Sequence, residues 1–216
     1  MSVTPTSFTS PLLEMREVTV GSLRNPAGKV IEGVTWSVAP GDFWVVAGLQ
    51  GSGKSDFLTL AAGLMSPLTG EYQIFGKPAA AFRDAPLREQ LRLGLVFDGG
   101  QLFHHLTIAE NIALPLQYHR NPTEAELEGR LKQILELTEL MPWAGYLPGS
   151  VSRNWQQRAG LARALMLKPE VLLVDNPLAG LDLRHQSWWL NFLGQLSRGH
   201  TLMEGRPVTL VVTTDD

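Results

Sequence analysis

One octapeptide limits this chain more than any other stretch of it. Gly48, Leu49, Gln50, Gly51, Ser52, Gly53, Lys54 and Ser55 satisfy the pattern GxxxxGK[ST] at every fixed position. Residues 42–47 before it read as an apolar strand, and residues 55–62 after it as the start of a buried helix. That order, strand then loop then helix, gives the pattern its chemistry. Glycines let backbone N–H groups curl around a phosphate, and the helix N-terminus adds the positive end of its dipole. Within that frame Lys54 supplies a point charge for the β- and γ-phosphates, and Ser55 a hydroxyl ligand for Mg²⁺. The pattern predicts a nucleoside triphosphate site, or descent from one.

The rest of the chain can house such a site. With 216 residues, 44% of them hydrophobic, it is long enough for one compact domain with a real core and a smaller inserted subdomain. Without cysteine there is neither a disulfide framework nor a thiolate metal site. A net charge of −3 and a pI of about 6.0 offer no broad basic surface, so no nucleic-acid partner is expected. No apolar run approaches the about 18–20 residues of a membrane span. Residues 1–11 are rich in Ser, Thr and Pro, lack a basic and an apolar segment in signal-peptide order, and read as a loose tail.

Along the chain, residues 12–20 and 30–38 alternate as strands around the turn-prone stretch 25–28. Shorter strands are expected at 71–75, 92–97, 171–174 and 207–213, and a helical stretch at 85–91. Residues 107–116 predict a helix ended by Pro115. Thr123 and Glu126 stand in capping-box spacing, and Leu127, Leu131, Ile134 and Leu135 follow at helical period, a stripe that Thr138 interrupts and Met141 resumes. Further helices are expected at 155–167 and 183–196. Strands alternating with helices imply an α/β core with parallel pairing.

The second half adds a constellation. Gln156, Gln157 and Arg158 open a helical run. Val171, Leu172, Leu173 and Val174 then form an apolar strand ending in Asp175, followed by Asn176 and Pro177 and by Ala179, Gly180, Leu181 and Asp182. A carboxylate projected from a strand tip beside the phosphate loop is what a second Mg²⁺ contact needs. Taken together, order and spacing resemble the nucleotide-binding subunit of ATP-binding cassette (ABC) transporters from about residue 12 onward. The resemblance makes 48–55 the Walker A loop, 171–175 the Walker B strand and 179–182 the D-loop, and it puts 151–155 where the LSGGQ signature belongs. It implies a P-loop NTPase fold with an antiparallel β subdomain and a helical subdomain inserted at about 104–150. The segment from Leu95 to Phe103, with Leu106 to Ile112 after it, resembles the Q-loop and the helices that dock on a membrane partner; its wording is closest to the lipid-transport (Mla/Mce-type) branch. The chain stops about where the last core strand of this family ends, so the final strands and helix of the usual domain are expected to be absent.

Against that family pattern several positions depart. Asn176 stands where a glutamate polarises the attacking water, and losing a general base costs about 10²–10⁴ in rate. Asp98 holds the place of the Q-loop glutamine and Thr214 that of the switch histidine. Of the signature, Ser152 remains, whereas Arg153 and Asn154 replace two glycines and Trp155 a glutamine. No Tyr, Phe or Trp lies between Ser10 and Thr35, where an aromatic that stacks on adenine belongs. Asp56 follows Ser55 in place of threonine. Its carboxylate either sits near a phosphate, at a cost on the order of 3 kcal/mol, or points outward and favours the helix N-terminus.

Single residues carry plainer readings too. Arg153 is either a charge aimed at a phosphate across a dimer or a solvated surface arginine. Trp188 and Trp189 with Leu190, Phe192 and Leu193 read as helix packing rather than a ligand box. His104 and His105 are adjacent and His119, His185 and His200 isolated, which argues against a zinc site. The stretch 107–116 is apolar enough for core, and by resemblance lines the groove for the membrane partner.

The resemblance implies an ATPase subunit that uses ATP and Mg²⁺, forms a homodimer or heterodimer of cassettes, and drives a membrane permease from the cytoplasmic face. The substituted positions leave a second reading open, a non-hydrolysing nucleotide-binding subunit of a heteromeric complex, and a third class is the soluble ABC proteins of translation or repair. An ordinary rate would require another carboxylate, Asp98 or Asp215, to act as base.

Overall fold

The computed structural model describes residues 10–25 and 28–215. Of the expected tail, all but Ser10 and Pro11 lies outside the described residues, as do two residues of the predicted turn at 25–28. In chain order β1 (Leu13–Gly21) and β2 (Lys29–Val38) come first, and β3 (Phe43–Ala47) leads through the phosphate loop into α1 (Lys54–Ala61). β4 (Thr69–Ile74), β5 (Lys77–Pro78) and the short helices α2 (Ala79–Arg83) and α3 (Leu87–Gln90) precede β6 (Leu93–Val96). The remainder is α4 (Ile108–Arg120), α5 (Glu124–Leu137), α6 (Arg153–Leu165), β7 (Val171–Val174), α7 (Leu183–Arg198) and β8 (Thr209–Thr214).

Two sheets result. β2-β1-β4-β5 is antiparallel throughout, and β3-β8-β7-β6 is parallel throughout. The parallel sheet is buried on both faces in its central strands, as continuous apolar runs such as 171–174 require. Alternate side chains part company there. Val171, Leu173 and Val211 join α1 and the antiparallel sheet in one core, while Leu172, Val174, Leu210 and Val212 face α4 to α7 in the other. Residues 104–150 hold α4, α5 and two 3-10 turns, and their buried Ile108, Ile112, Ile134 and Leu140 belong to that second core. This is the α/β P-loop architecture with its antiparallel β sheet that the motifs imply.

Register positions the site. Ala47 pairs with Thr214, Val212 with Val174, and Val174 with Val96, so β6 and β7 end level and β3 and β8 run two residues further at the same edge. Parallel strands gather their outgoing loops at one edge, the usual place for a ligand in such sheets. The phosphate loop, Asp98, Asp175, Asn176 and Asp215 all leave from that edge.

The structure corrects three helix expectations. Pro115 does not end a helix: α4 runs through it to Arg120 and stops at Asn121, which is left-handed at φ 44°. A proline in a helix forfeits one backbone hydrogen bond, but its own φ is helical. Here α4 is secured upstream by a capping box of Thr107 and Glu110 and by buried Ile108, Asn111, Ile112 and Ala113. The α5 stripe does not resume at Met141. The Thr138 hydroxyl donates to the Ile134 carbonyl at 2.7 Å, Glu139 takes φ 58°, and Met141 opens a 3-10 turn with its side chain exposed. Both α5 capping-box bonds of Thr123 and Glu126 are present. α6 begins at Arg153, two residues before the expected start, which places the altered signature residues in its first turn.

Candidate functional site

The phosphate loop is built by close contact. Gly53 caps α1 at φ 92°, and a Cβ there would lie 2.1 Å from Val30 Cγ1, so both backbone and space demand glycine. The adjoining Lys54 is 8% exposed, and its ammonium donates to the carbonyls of Gly48 (2.6 Å) and Leu49 (2.8 Å). It also pairs with Asp215 Oδ1 at 2.9 Å. Gly48 N–H donates to the Thr214 carbonyl at 3.3 Å, tying loop to strand tip. Ser55 is exposed at the mouth.

Asp56 stands in the first turn of α1, where a carboxylate favours the helix N-terminus, and it also lines the cleft over the phosphate loop. Its Oδ1 accepts the Leu23 N–H at 2.6 Å, so it braces the segment where the adenine-stacking aromatic was sought. That wall of the cleft is formed by Ser22, Leu23, Arg24 and Val30. The whole cleft, about 680 Å³, continues over Gln50, Gly51 and Lys54 to Asp98, Asp175, Asn176 and Asp215.

At the strand tips a hydrogen-bond chain joins β7 to β8. Buried Thr213 donates its hydroxyl to Asp175 Oδ1 at 2.7 Å and accepts the Asn176 N–H at 2.9 Å. Gln157 Nε2 donates to the Asp175 carbonyl at 3.2 Å. Asn176 itself is left-handed at φ 46°, a conformation asparagine tolerates. From there its Nδ2 donates to Asp215 Oδ2 at 2.8 Å. Hydrogen bonds from Lys54 first and Asn176 second hold the Asp215 carboxyl below the usual carboxylate range.

The signature side is differently made. Arg153 pairs with Asp98 of its own chain and so ties α6 to the loop after β6, while more than half of its side chain stays exposed, as the surface reading expects. That loop is fastened further on. Gln157 accepts the Gly99 N–H, and Arg163 donates to the carbonyls of Gly100 (2.8 Å) and Gln101 (2.9 Å). Gly160 and Gly100 are in contact backbone to backbone; a Cβ on Gly160 would sit 2.6 Å from Gly100 Cα. Ser152 is the exposed N-cap residue of α6 and makes no side-chain cap bond.

One turn on, fully buried Arg158 lies 3.8 Å over the Trp188 ring and 4.7 Å from that of Trp155. It donates to Glu139 at 2.8 Å and faces His185 Nδ1 at 3.0 Å. Burial lowers its pKa and Glu139 counteracts that. Trp188 stacks on Phe192, and Trp189, Phe192 and Leu193 are buried, so these residues are helix packing, whereas Leu190 of the same expected group is exposed to solvent. Asp182 of the D-loop caps α7 by accepting the His185 N–H at 3.0 Å.

Ser55 and Asp175 line one cleft, a hydroxyl and a carboxylate beside the phosphate loop. Among the described residues no group of three His, Cys, Asp or Glu gathers as a metal cage. A hydroxyl and a carboxylate oxygen are hard donors that fit Mg²⁺, a cation that takes one or two protein oxygens and completes its shell with phosphate and water.

Comparison with known proteins agrees with this geometry. The sequence profile of the family described as ABC transporter matches residues 31–179. The chain belongs to that family. The sulfate/thiosulfate import ATP-binding protein CysA of Gloeobacter violaceus is 37% identical over 156 residues, 72% of this chain and 44% of that one. The methionine import ATP-binding protein MetN of Brucella abortus is 36% identical over 181 residues, 82% and 47% respectively. The chain thus spans about half the length of the curated relatives it matches. Among solved structures, the dimeric ATP-binding cassette MJ0796 in a post-hydrolysis state with ADP and Pi superposes with a TM-score of 0.79. It is 28% identical, and the match covers 94% of this chain and 88% of that one.

Measured against the cassette pattern, the structure brings the 48–55 loop, Asp56, Asp98, Asp175 and Asn176 to one cleft, whereas Ser152 is not part of its lining. Thr214 contributes its carbonyl to the loop. Sequence reasoning left Thr213, Gln157 and Arg163 out of the site and gave Asp215 only a conditional part. A signal existed for Asp215: parallel pairing sets residues 213–215 beside 175–177, because Val212 is level with Val174.

Proposed function

We propose that this chain binds ATP with Mg²⁺ and serves as the ATP-binding subunit of an ABC transporter, coupling nucleotide binding and slow hydrolysis to a membrane permease. The observation that carries the reading is the meeting of buried Lys54, exposed Ser55 and the strand-tip Asp175 at one cleft beneath a complete phosphate loop. In it the 48–55 loop cradles the phosphates, Lys54 neutralises them, and Ser55 and Asp175 hold the Mg²⁺, whose contribution is to draw charge from the phosphate oxygens. The base is held by Leu23, Arg24 and Val30 instead of a stacked aromatic ring. Residues 12–216 act as one cassette, with 107–116 in the inserted subdomain lining the groove for the permease.

Names of relatives support the coupling: the matched proteins are ATP-binding subunits of importers of different solutes, so the wording of one loop segment does not select a solute. Among the described residues no helix is long and apolar enough to cross a membrane, which fits attachment to the inner membrane face through a permease. A second cassette, of this chain or of a partner, would bring its signature segment over the phosphate loop, as the dimeric relative suggests. A slow rate follows from Asn176 and Thr214, with a deficit of about 10²–10⁴ against an intact cassette.

A non-hydrolysing subunit of a heteromeric complex is favoured by a different observation, the Arg153–Asp98 pair that occupies the signature within its own chain. Titration calorimetry with MgATP, followed by phosphate release at saturating nucleotide, separates the two. Heat without turnover selects the second reading. No heat at millimolar MgATP, with the protein folded, rejects both.

A further inference from the structure

The Lys54 ammonium has three protons to donate, and three acceptors take them: the Gly48 carbonyl, the Leu49 carbonyl and Asp215 Oδ1. One of the three is therefore a carboxylate, standing where a phosphate oxygen would be received. The other oxygen of the same carboxylate accepts from Asn176 Nδ2 at 2.8 Å. Asp215 is thus held at both oxygens, by the residue that binds phosphate and by the residue at the position of the missing glutamate.

Asn176 cannot take a proton, but its geometry is far from idle. Its left-handed backbone and its N–H bond to the Thr213 hydroxyl fix the strand tip, and its amide then points a donor at the neighbouring chain segment. Of the other three carboxylates in the cleft, Asp98 engages Arg153 of the signature, Asp56 accepts the Leu23 N–H, and Asp175 accepts the Thr213 hydroxyl, so none of them is paired with the phosphate-loop lysine. Asp215 has a partner that substrate itself removes.

We propose that Asp215 accepts the proton of the attacking water, with Asn176 as its positioning residue, so that two side chains supply part of the work of one glutamate and carry the slow turnover that remains. This rests on the reading of the cleft as an ATP site. When the triphosphate enters, Lys54 turns to its oxygens and frees Oδ1, while Asn176 keeps Oδ2. A water at Oδ1 then bonds through its oxygen to the γ-phosphorus. The bond from phosphorus to the bridging oxygen breaks, its electron pair leaving on ADP. The proton of the water passes to Oδ1, and from there to the released phosphate or to solvent. Losing the lysine hydrogen bond also removes the main influence that depresses the proton affinity of this carboxyl, so arrival of substrate prepares the base.

The test compares wild type with Asp215→Asn, Asp215→Glu, Asn176→Ala and Asn176→Gln. Each is measured for MgATP affinity by calorimetry and for phosphate release at saturating ATP across pH. Asp215→Asn should lower kcat by about 10²-fold or more, the range of a lost general base, with affinity unchanged or improved. Asp215→Glu should keep part of the rate and the acid limb of the pH profile, which Asp215→Asn loses. Asn176→Ala should lower kcat about tenfold without raising KM, a modest share of what a lost base costs, and Asn176→Gln should recover part of it. Equal rates in wild type and Asp215→Asn overturn the assignment, and tighter binding without a rate change would leave Asp215 a mere competitor of phosphate. Wild type that binds MgATP but never turns it over also overturns the assignment while the binding reading stands. Absence of binding sinks the functional reading itself.

Discussion

The two sides of the cleft relate to their sequence in opposite ways. On the phosphate-loop side every fixed position of the motif is present, and its residues meet through neighbours close in the chain: Lys54 reaches back to Gly48 and Leu49, and Gly53 turns the chain into α1. On the side of α6 and the strand tips, position after position departs from the family pattern, yet the altered residues do not stand alone. Asp98 meets Arg153, and Asn176 meets Asp215. A motif compared letter by letter records six departures there, whereas the structure joins three of the altered residues in two new pairs. Substitution in a site is therefore best judged by what the new side chain touches, since a changed residue with a changed partner can restore a contact by other means.

Lys54→Ala breaks the comparison most severely. It should weaken MgATP binding by at least about 10²-fold in calorimetry, since a buried charge-assisted contact to phosphate is lost, and Arg153→Gly on the other side should leave affinity within a few-fold. Equal losses from both would show that the signature side also grips the nucleotide of its own chain.

The next largest effect lies in what supports the signature helix. Arg158→Ala should cost about 2–4 kcal/mol in denaturant unfolding, because a fully buried side chain stacked on Trp188 and its charge-assisted hydrogen bond to half-exposed Glu139 vanish together. No loss would mean that the α6–α7 contact is carried by the apolar core alone. Gly160→Ala should cost about 1–3 kcal/mol by the same measurement, its methyl being forced against Gly100. It should also slow turnover by displacing the loop that carries Asp98. An unchanged rate would separate that loop from the chemistry.

The smallest expected effect sharpens the idea of paired replacement. A double-mutant cycle on Asp98→Ala and Arg153→Ala should give a coupling of about 0.2–1 kcal/mol, falling with salt, since both side chains are well exposed. Zero coupling at low salt would make the two changes independent, and the second side of the cleft would then hold one rebuilt pair instead of two.

What the sequence by itself determined is the part built from near neighbours. GxxxxGK[ST] between an apolar strand and a helix, Val171 to Val174 ending in Asp175, and Thr123 three residues before Glu126 each specify geometry within one turn or one strand. Their structure follows from local sterics and hydrogen bonding. Tertiary structure alone decided the rest. Arg153 finds Asp98 only because α6 packs on the loop after β6, glycine against glycine. Asn176 finds Asp215 only because β7 and β8 are parallel and in register. Asp56 reaches Leu23 because α1 lies under the antiparallel sheet, and α4 outlasts Pro115 because its upstream face is already buried. In each case the partners are far apart in the chain, and which of them meet is set by packing and strand register, terms that no window of neighbouring residues contains.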